Sequence, residues 1–245
     1  MKVTVIGLGS MGERRARILQ GLGYEVEGID PNRTLTGVPN VTTVSGDVVF
    51  VCTPPDVREV IFLAEGRPCF VEKPLLIPRD HHLLEEFAEL PIHMSENLLH
   101  TGFLKGLSER GHAYLEVEFS YDPLSTRSGG IPYRRRIPHC ALVDSHEPNL
   151  LCKTLGRPLY AVGTRSDMER FCGQIVWPSV FCDLKLSCST PGYTRYARLY
   201  ARESLQSFRL FPESVEGTYA LEVENFMDAV RSGGPIRLQP WVEDV

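Results

Sequence analysis

The chain lacks paired cysteine motifs: its seven cysteines are an odd number and none forms CxxC. They sit mostly in apolar runs such as Val51-Cys52 and Phe181-Cys182. That predicts reduced, buried thiols and excludes a disulfide scaffold. No stretch approaches the roughly 18 apolar residues of a membrane span. The opening MKVTVIGLG has one lysine and a short apolar run that enters a glycine turn, so it reads as a buried strand rather than a signal peptide. The expected compartment is the cytoplasm, with no membrane partner. A basic excess is also missing: 26 Lys+Arg against 31 Asp+Glu give a net charge of −5. Without aromatic-plus-basic patterning either, nucleic acid is not an expected partner. GxSxG, Walker-type loops, internal repeats and low-complexity tracts are absent. What remains is 245 residues, 42% hydrophobic and 23% charged, which suits one large folded domain or two small ones.

The first hundred residues alternate strand and helix signals. Strands are expected over Lys2–Ile6, Tyr24–Ile29, Asp47–Thr53, Pro68–Glu72 and Pro91–Glu96. Helices are expected over Gly12–Leu22, Pro55–Glu65 and Arg79–Leu90. Alternating strands and helices imply βαβ units and a parallel sheet. Between Asp30 and Asp47 the chain is short, polar and turn-rich where a helix would normally lie, so this half reads as trimmed. After about residue 100 the signals change. Ala113–Tyr121, Leu159–Gly163, Phe181–Ser187, Tyr193–Ala201 and Gln206–Phe211 read as strands of an antiparallel sheet. Asp144–Leu155 reads as a helix, as does Tyr219–Arg231, with Leu221, Val223, Phe226 and Val230 on its apolar face. The fold class is therefore α/β: a Rossmann-like parallel-sheet domain over 1–98, then an α+β domain over 99–245 with an open, mainly antiparallel sheet. The C-terminal helix is expected to pack back near the junction. An open sheet with one apolar face needs a cover, so a homo-oligomer through the C-terminal sheet is expected.

Gly7-Leu8-Gly9-Ser10-Met11-Gly12 is a GxGxxG turn that follows a strand and opens a helix. Asp30 ends the next strand 18 residues after Gly12. Together these form a dinucleotide fingerprint. Gly7 allows the tight turn, Gly9 lets a diphosphate approach the backbone, and Gly12 lets helix and strand pack closely. Ser10 and Met11, inside the turn, are further cofactor contacts at the helix N-terminus. An Asp30 carboxylate would accept bonds from ribose hydroxyls and repel a 2′-phosphate, which favours NAD. Arg33 could pair with such a phosphate, which leaves NADP open.

Val71-Glu72-Lys73-Pro74, behind GxGxxG and a strand ending in Thr53-Pro54-Pro55, resembles the Gfo/Idh/MocA oxidoreductases. The opening IGLGSMGERRARILQGLGYEVEGIDPN, and Ser145-His146-Glu147 followed by Asn149-Leu150-Leu151, look like the branch found with sialic-acid-type sugar biosynthesis. The resemblance covers nearly the whole chain, through Glu224–Gly233. It implies that Thr53 and Pro54 line the dinucleotide site, that Glu72 and Pro74 shape the loop carrying Lys73, and that Lys73 reaches the reacting oxygen. A lysine there can stabilise developing negative charge. It implies His146 as general acid/base, for which imidazole is suited because both its forms are available near neutrality. Asn97 and Asp144 are substrate candidates by the same resemblance.

Arg134 and Arg135, with Arg136, lie in a long loop rich in Pro, Gly, Ser and Arg and could clamp a phosphate or carboxylate. His139, Cys140, Asp144 and His146 match no common zinc spacing, so no metal is expected. The expected activity is an NAD(P)-dependent hydride transfer with a small carbohydrate-like alcohol or ketone, nucleotide-linked or acidic. Two alternatives stay open. The arginine missing after Asn97, the two-residue spacing from Asp144 to His146 and the short length fit a dinucleotide-binding sensor or partner subunit without catalysis. An imine or amino-acid-like carbonyl could also replace the sugar.

Overall fold

The computed structural model describes residues 1–73, 75, 78–95, 113–120, 155–166, 170–187, 194–201, 204–209 and 215–236. They fall in two compact units, Met1–Ser95 with Glu216–Val245, and Glu96–Val215. The first holds β1 (Lys2–Ile6), α1 (Ser10–Gly21), β2 (Glu25–Ile29), β3 (Val48–Val51), β4 (Cys69–Val71), α2 (Leu84–Ala88), β5 (Ile92–Met94) and α3 (Val215–Ser232). Tight helical turns span Pro55–Ala64 and Pro78–Leu83, so the helix expected over Arg79–Leu90 is a 3-10 segment running into α2.

All five strands pair in parallel, in the order β2-β1-β3-β4-β5. Alternation along each strand sends side chains to opposite faces. Val3, Val5, Val48, Phe50 and Phe70 meet Ala16 and Leu19 of α1 and Val223, Phe226 and Met227 of α3 on one face. Ile6, Val49, Val51, Cys69 and Val71 meet Ile61, Leu83 and Phe87 on the other. A sheet covered on both faces explains why Val48–Val51 is apolar without interruption. Phe50 and Phe70 stack at 4.7 Å, and Phe226 meets both edge-on at 5.6 and 5.3 Å. His93 completes this group at 5.2 Å from Phe70.

Residues 30–47 hold no helix, as their polar, turn-rich sequence predicts. The short connection is instead pinned to the sheet by polar bonds. The Gly28 N–H donates to Pro39 O at 2.8 Å, and the Val41 N–H to Gly28 O at 2.8 Å. Further along, Glu27 is the hub. Its buried carboxylate accepts from Thr4 Oγ1 at 2.6 Å, from the Ser45 N–H at 3.0 Å, and from Lys2 Nζ at 2.6 Å. Burial pushes this carboxyl up, but the bonds from Lys2, Thr4 and Ser45 outweigh burial and hold it at about 2 against an ordinary 4.5.

The second unit contains β6 (Ala113–Ser120), β7 (Tyr160–Ser166), β8 (Arg170–Val176), β9 (Val180–Ser187), β10 (Thr194–Ala201) and β11 (Ser204–Arg209). They form one sheet in the order β11-β10-β6-β9-β8-β7. Its pairs are antiparallel except β6 with β9, which run parallel at its centre. The fold is therefore a Rossmann-like parallel sheet followed by an open, mainly antiparallel one. β8 escapes the sequence pattern because Gly173 interrupts its apolar run, where it pairs with Gly163 of β7. The apolar face of the last helix also differs from expectation: Leu221 is 42% exposed, and Glu222 takes the buried position beside Val223. No helix among the described residues is long and apolar enough to cross a membrane.

Because the folded-state pKa of Glu27 is depressed, its stabilisation is complete above pH 4.5 and is lost as pH falls towards about 2. Glu27→Gln is expected to remove that part of the acid dependence. At neutral pH it should cost about 1–3 kcal/mol through the donors left unsatisfied. Urea unfolding across a pH series measures both effects.

Candidate functional site

The carboxyl ends of the five strands form one row. Ile6 is in register with Ile29 and Val51, Val51 with Val71, and Val71 with Met94. The next residues are therefore Asp30, Gly7, Cys52, Glu72 and Ser95 across the sheet. Four backbone bonds extend the ladder to this row: Gly7 N to Ile29 O (2.8 Å), Cys52 N to Ile6 O (2.8 Å), Glu72 N to Val51 O (2.9 Å) and Ser95 N to Val71 O (2.7 Å). β2 lies on one side of β1, and the connection from β2 crosses to β3 on the other side. The row thus crosses a topological switch point, where ligands of open parallel sheets bind.

At that point the glycine turn is sterically compulsory. Gly7 has φ +87°, and a Cβ on it would lie 2.9 Å from the Thr53 nitrogen. A Cβ on Gly12 would lie 1.8 Å from the Gly7 carbonyl oxygen. Gly9 differs: a Cβ there meets nothing within 4 Å, so the missing side chain leaves open space. Gly9 also caps α1 without any side-chain bond, and its carbonyl accepts the first helical bond, from the Glu13 N–H at 2.8 Å. The amides of Ser10, Met11 and Gly12 therefore have no acceptor within the helix and carry the positive end of its dipole. Open space in front of three such amides fits a diphosphate.

Asp30 faces the same turn. Its carboxylate accepts from the Leu8 N–H at 2.7 Å and from the Asn32 N–H at 2.8 Å. Each oxygen keeps a lone pair for a further donor such as a ribose hydroxyl. Arg33 is exposed and is not a partner of Asp30. Thr53 and Pro54 are half-buried just past β3, and Lys73 is half-buried just past β4. The structure thus gathers Gly7, Gly9, Ser10, Met11, Gly12, Asp30, Thr53, Pro54, Glu72 and Lys73 along one sheet edge. Pro74, Asn97, Arg134, Arg135, Asp144 and His146 lie outside the described residues, as do His139 and Cys140. No cluster of three His, Cys, Asp or Glu able to hold a metal occurs among the described residues.

Glu72 turns away from the open edge into the core. It follows Phe70 in the strand alternation and so meets α1 and α3. Arg15, fully buried on α1, donates from Nε to Glu72 Oε1 at 2.7 Å. Its Nη2 donates to Ser95 Oγ and to Glu222 Oε2, each at 2.8 Å, and its Nη1 to the Tyr219 carbonyl at 3.2 Å. The guanidinium also lies 4.6 Å from the Phe70 ring centre. Burial alone would lower the pKa of Arg15, but Glu72 and Glu222 overcome it and hold the group above its ordinary value. Burial raises the Tyr219 hydroxyl, with Glu72 adding to the rise. This network was not anticipated from the sequence. Its signal was positional: Arg15 shares the buried helical stripe of Gly12, Ala16 and Leu19. A charge on such a stripe demands a buried partner.

No known family profile matches the chain, and no curated protein matches it. Solved structures do. The WlbA (WbpB) dehydrogenase from Thermus thermophilus, in complex with NAD and UDP-GlcNAcA, is similar at 16% identity and TM-score 0.69, over 98% of this chain and 97% of that one. UDP-N-acetylglucosamine 3-dehydrogenase GnnA from Acidithiobacillus ferrooxidans is similar at 18% identity and TM-score 0.72, over 96% and 90%. An oxidoreductase from Agrobacterium radiobacter, in complex with NAD+, L-tartaric acid and magnesium, is similar at 14% identity and TM-score 0.72, again over 96% and 90%. At this identity the likeness establishes the fold alone.

The two glycine positions separate stability from ligand binding. Gly12→Ala should destabilise the protein by about 1–3 kcal/mol or more through overpacking against Gly7. Gly9→Ala, at φ −67° and in open space, should leave the thermal midpoint nearly unchanged. It should weaken NADH binding by about tenfold or more by filling the diphosphate's space. Differential scanning calorimetry and NADH fluorescence titration read the two effects.

Proposed function

We propose that the protein is an NAD-dependent oxidoreductase of the Gfo/Idh/MocA type that acts on a nucleotide-linked or acidic sugar at an alcohol or ketone carbon. The observation that carries this reading is the row of strand ends. Asp30, the open space at Gly9 and Lys73 follow one another along that row, an order that supports a dinucleotide lying across it. Three strand spacings, about 14 Å, separate the Asp30 and Glu72 ends of that row. The dinucleotide lies along it, with the adenosine ribose on Asp30, the diphosphate at the amides of Ser10, Met11 and Gly12, and the nicotinamide beside Thr53 and Pro54. The paired Asp30 carboxylate repels a 2′-phosphate, which supports NAD over NADP.

Bound nicotinamide supplies the hydride acceptor or donor. Lys73 donates a hydrogen bond to the substrate oxygen, which orients it and stabilises the charge that develops as the carbon–hydrogen bond breaks or forms. His146 takes the hydroxyl proton in oxidation and returns it in reduction. Arg134 and Arg135 bind the substrate's phosphate or carboxylate, while Asn97 and Asp144 position the sugar. The substrate class is supported by the Thermus neighbour's complex with UDP-GlcNAcA and by the activity named for the Acidithiobacillus one. Further copies of the chain associate through the open sheet, a reading supported by Tyr160 and Val162, exposed on one side of its edge strand β7.

Turnover is followed by nicotinamide absorbance over a panel of UDP-sugars, their uronic acids and free sugar acids. With the substrate so found, Lys73→Met should lower kcat by about 100-fold or more. Its affinity for NADH should stay within about threefold of the unmodified chain, because the diphosphate and ribose contacts remain. Turnover that survives the substitution overturns the role of Lys73. A panel with no turnover at all overturns the substrate class.

A further inference from the structure

Arg15, Glu72, Ser95 and Glu222 join four separate pieces of the chain at one buried point: α1, the residue after β4, the residue after β5, and α3. We propose that Arg15 is the positioning residue for Lys73: through Glu72 it fixes the turn after β4, and through Ser95 and Glu222 it ties that turn to β5 and α3. The inference deepens the oxidoreductase reading and rests on it for the part Lys73 plays in the reaction.

Glu72 is clamped at both ends. Its backbone N–H is held by Val51 O at 2.9 Å and its carboxylate by Arg15 Nε at 2.7 Å. The next peptide carries Lys73, so the place from which that side chain departs is set by these two bonds. Arg15 itself has one available orientation. Two carboxylates, a hydroxyl and a carbonyl take four of its five N–H donors, and an aromatic face covers its plane. Ser95 Oγ, which accepts from Arg15, also donates to Glu222 Oε2 at 3.2 Å, which closes the network.

Packing alone does not call for this arrangement. The neighbours of Arg15 on the same stripe are glycine, alanine and leucine, and well-packed apolar residues are often as stable as a buried ion pair or more so. What an apolar core cannot do is fix a charged turn in one direction. The planar fork matters here, because Nε serves Glu72 while Nη2 serves Ser95 and Glu222, and a lysine in its place keeps the charge but gathers its donors on one nitrogen.

The chain has five lysines, so reductive methylation with carbon-13 formaldehyde gives few amine signals. That of Lys73 is identified by its loss in Lys73→Arg. The cofactor-free full chain is titrated by NMR. In Arg15→Lys the midpoint of the Lys73 signal should move by about half a pH unit or more, while those of Lys2 and Lys185 stay put. A second variant combines Arg15→Met, Glu72→Gln and Glu222→Gln, so that no lone charge stays buried. It decides the question if Arg15→Lys fails to unfold cooperatively on heating. An unchanged Lys73 midpoint in either folded variant overturns the proposal. Loss of folding in both assigns the network to stability alone and overturns it too. NADH titration of the unmodified chain reads the other claim separately. A moved Lys73 midpoint without NADH binding keeps Arg15 as the positioning residue and removes the oxidoreductase reading, and NADH binding with an unmoved midpoint does the reverse.

Discussion

Gly12 has no room for a side chain: a Cβ there would sit 1.8 Å from the Gly7 carbonyl oxygen. This contact brings the start of α1 down onto the end of β1, and much of the first unit's architecture depends on it. It aims the first-turn amides of α1 over the switch point between β1 and β3. It also lowers the next turn of the helix, so that Ala16 and Leu19 reach the sheet and Arg15 reaches Glu72. A larger residue at position 12 would lift α1 and disturb the amide cradle and the charge network together.

The same row of strand ends serves two purposes. Residues that follow the strands either face the open edge or turn into the layer beneath α1 and α3. Gly7 and Asp30 belong to the first group. Glu72 and Ser95 belong to the second, where they meet a buried guanidinium and the carboxylate of a helix more than 120 residues further on. A turn with Lys73 outside and Glu72 inside therefore links the candidate chemistry to the core. Elsewhere the chain economises: Glu27, Thr4, Lys2 and Ser45 hold a polar connection where many such sheets place a helix.

Much of this was legible in the sequence. Strands buried on both faces declare themselves as unbroken apolar runs, and the glycine turn is specified by hard sterics. The absence of a helix between Asp30 and Asp47 could be read from turn residues alone. The buried network could not be read, because it breaks the rule that makes helix faces readable. Arg15 and Glu222 occupy core positions, while apolar Leu221 faces solvent. Their compensation is tertiary, across 207 residues of sequence, and no local pattern encodes it. β8 was missed for a local reason, a glycine in mid-strand. The parallel pairing of β6 with β9 was missed because strand order is a property of the whole sheet.

The proposed NAD reading turns on the row of strand ends from Asp30 past Gly9 to Lys73. Isothermal titration of the purified chain with NADH and with NADPH, after confirming that no cofactor co-purifies, tests it most directly. Saturable one-site binding of NADH and markedly weaker binding of NADPH are expected, because a carboxylate at Asp30 would repel a 2′-phosphate. Failure of the folded chain to bind NADH, or tighter binding of NADPH, would contradict it.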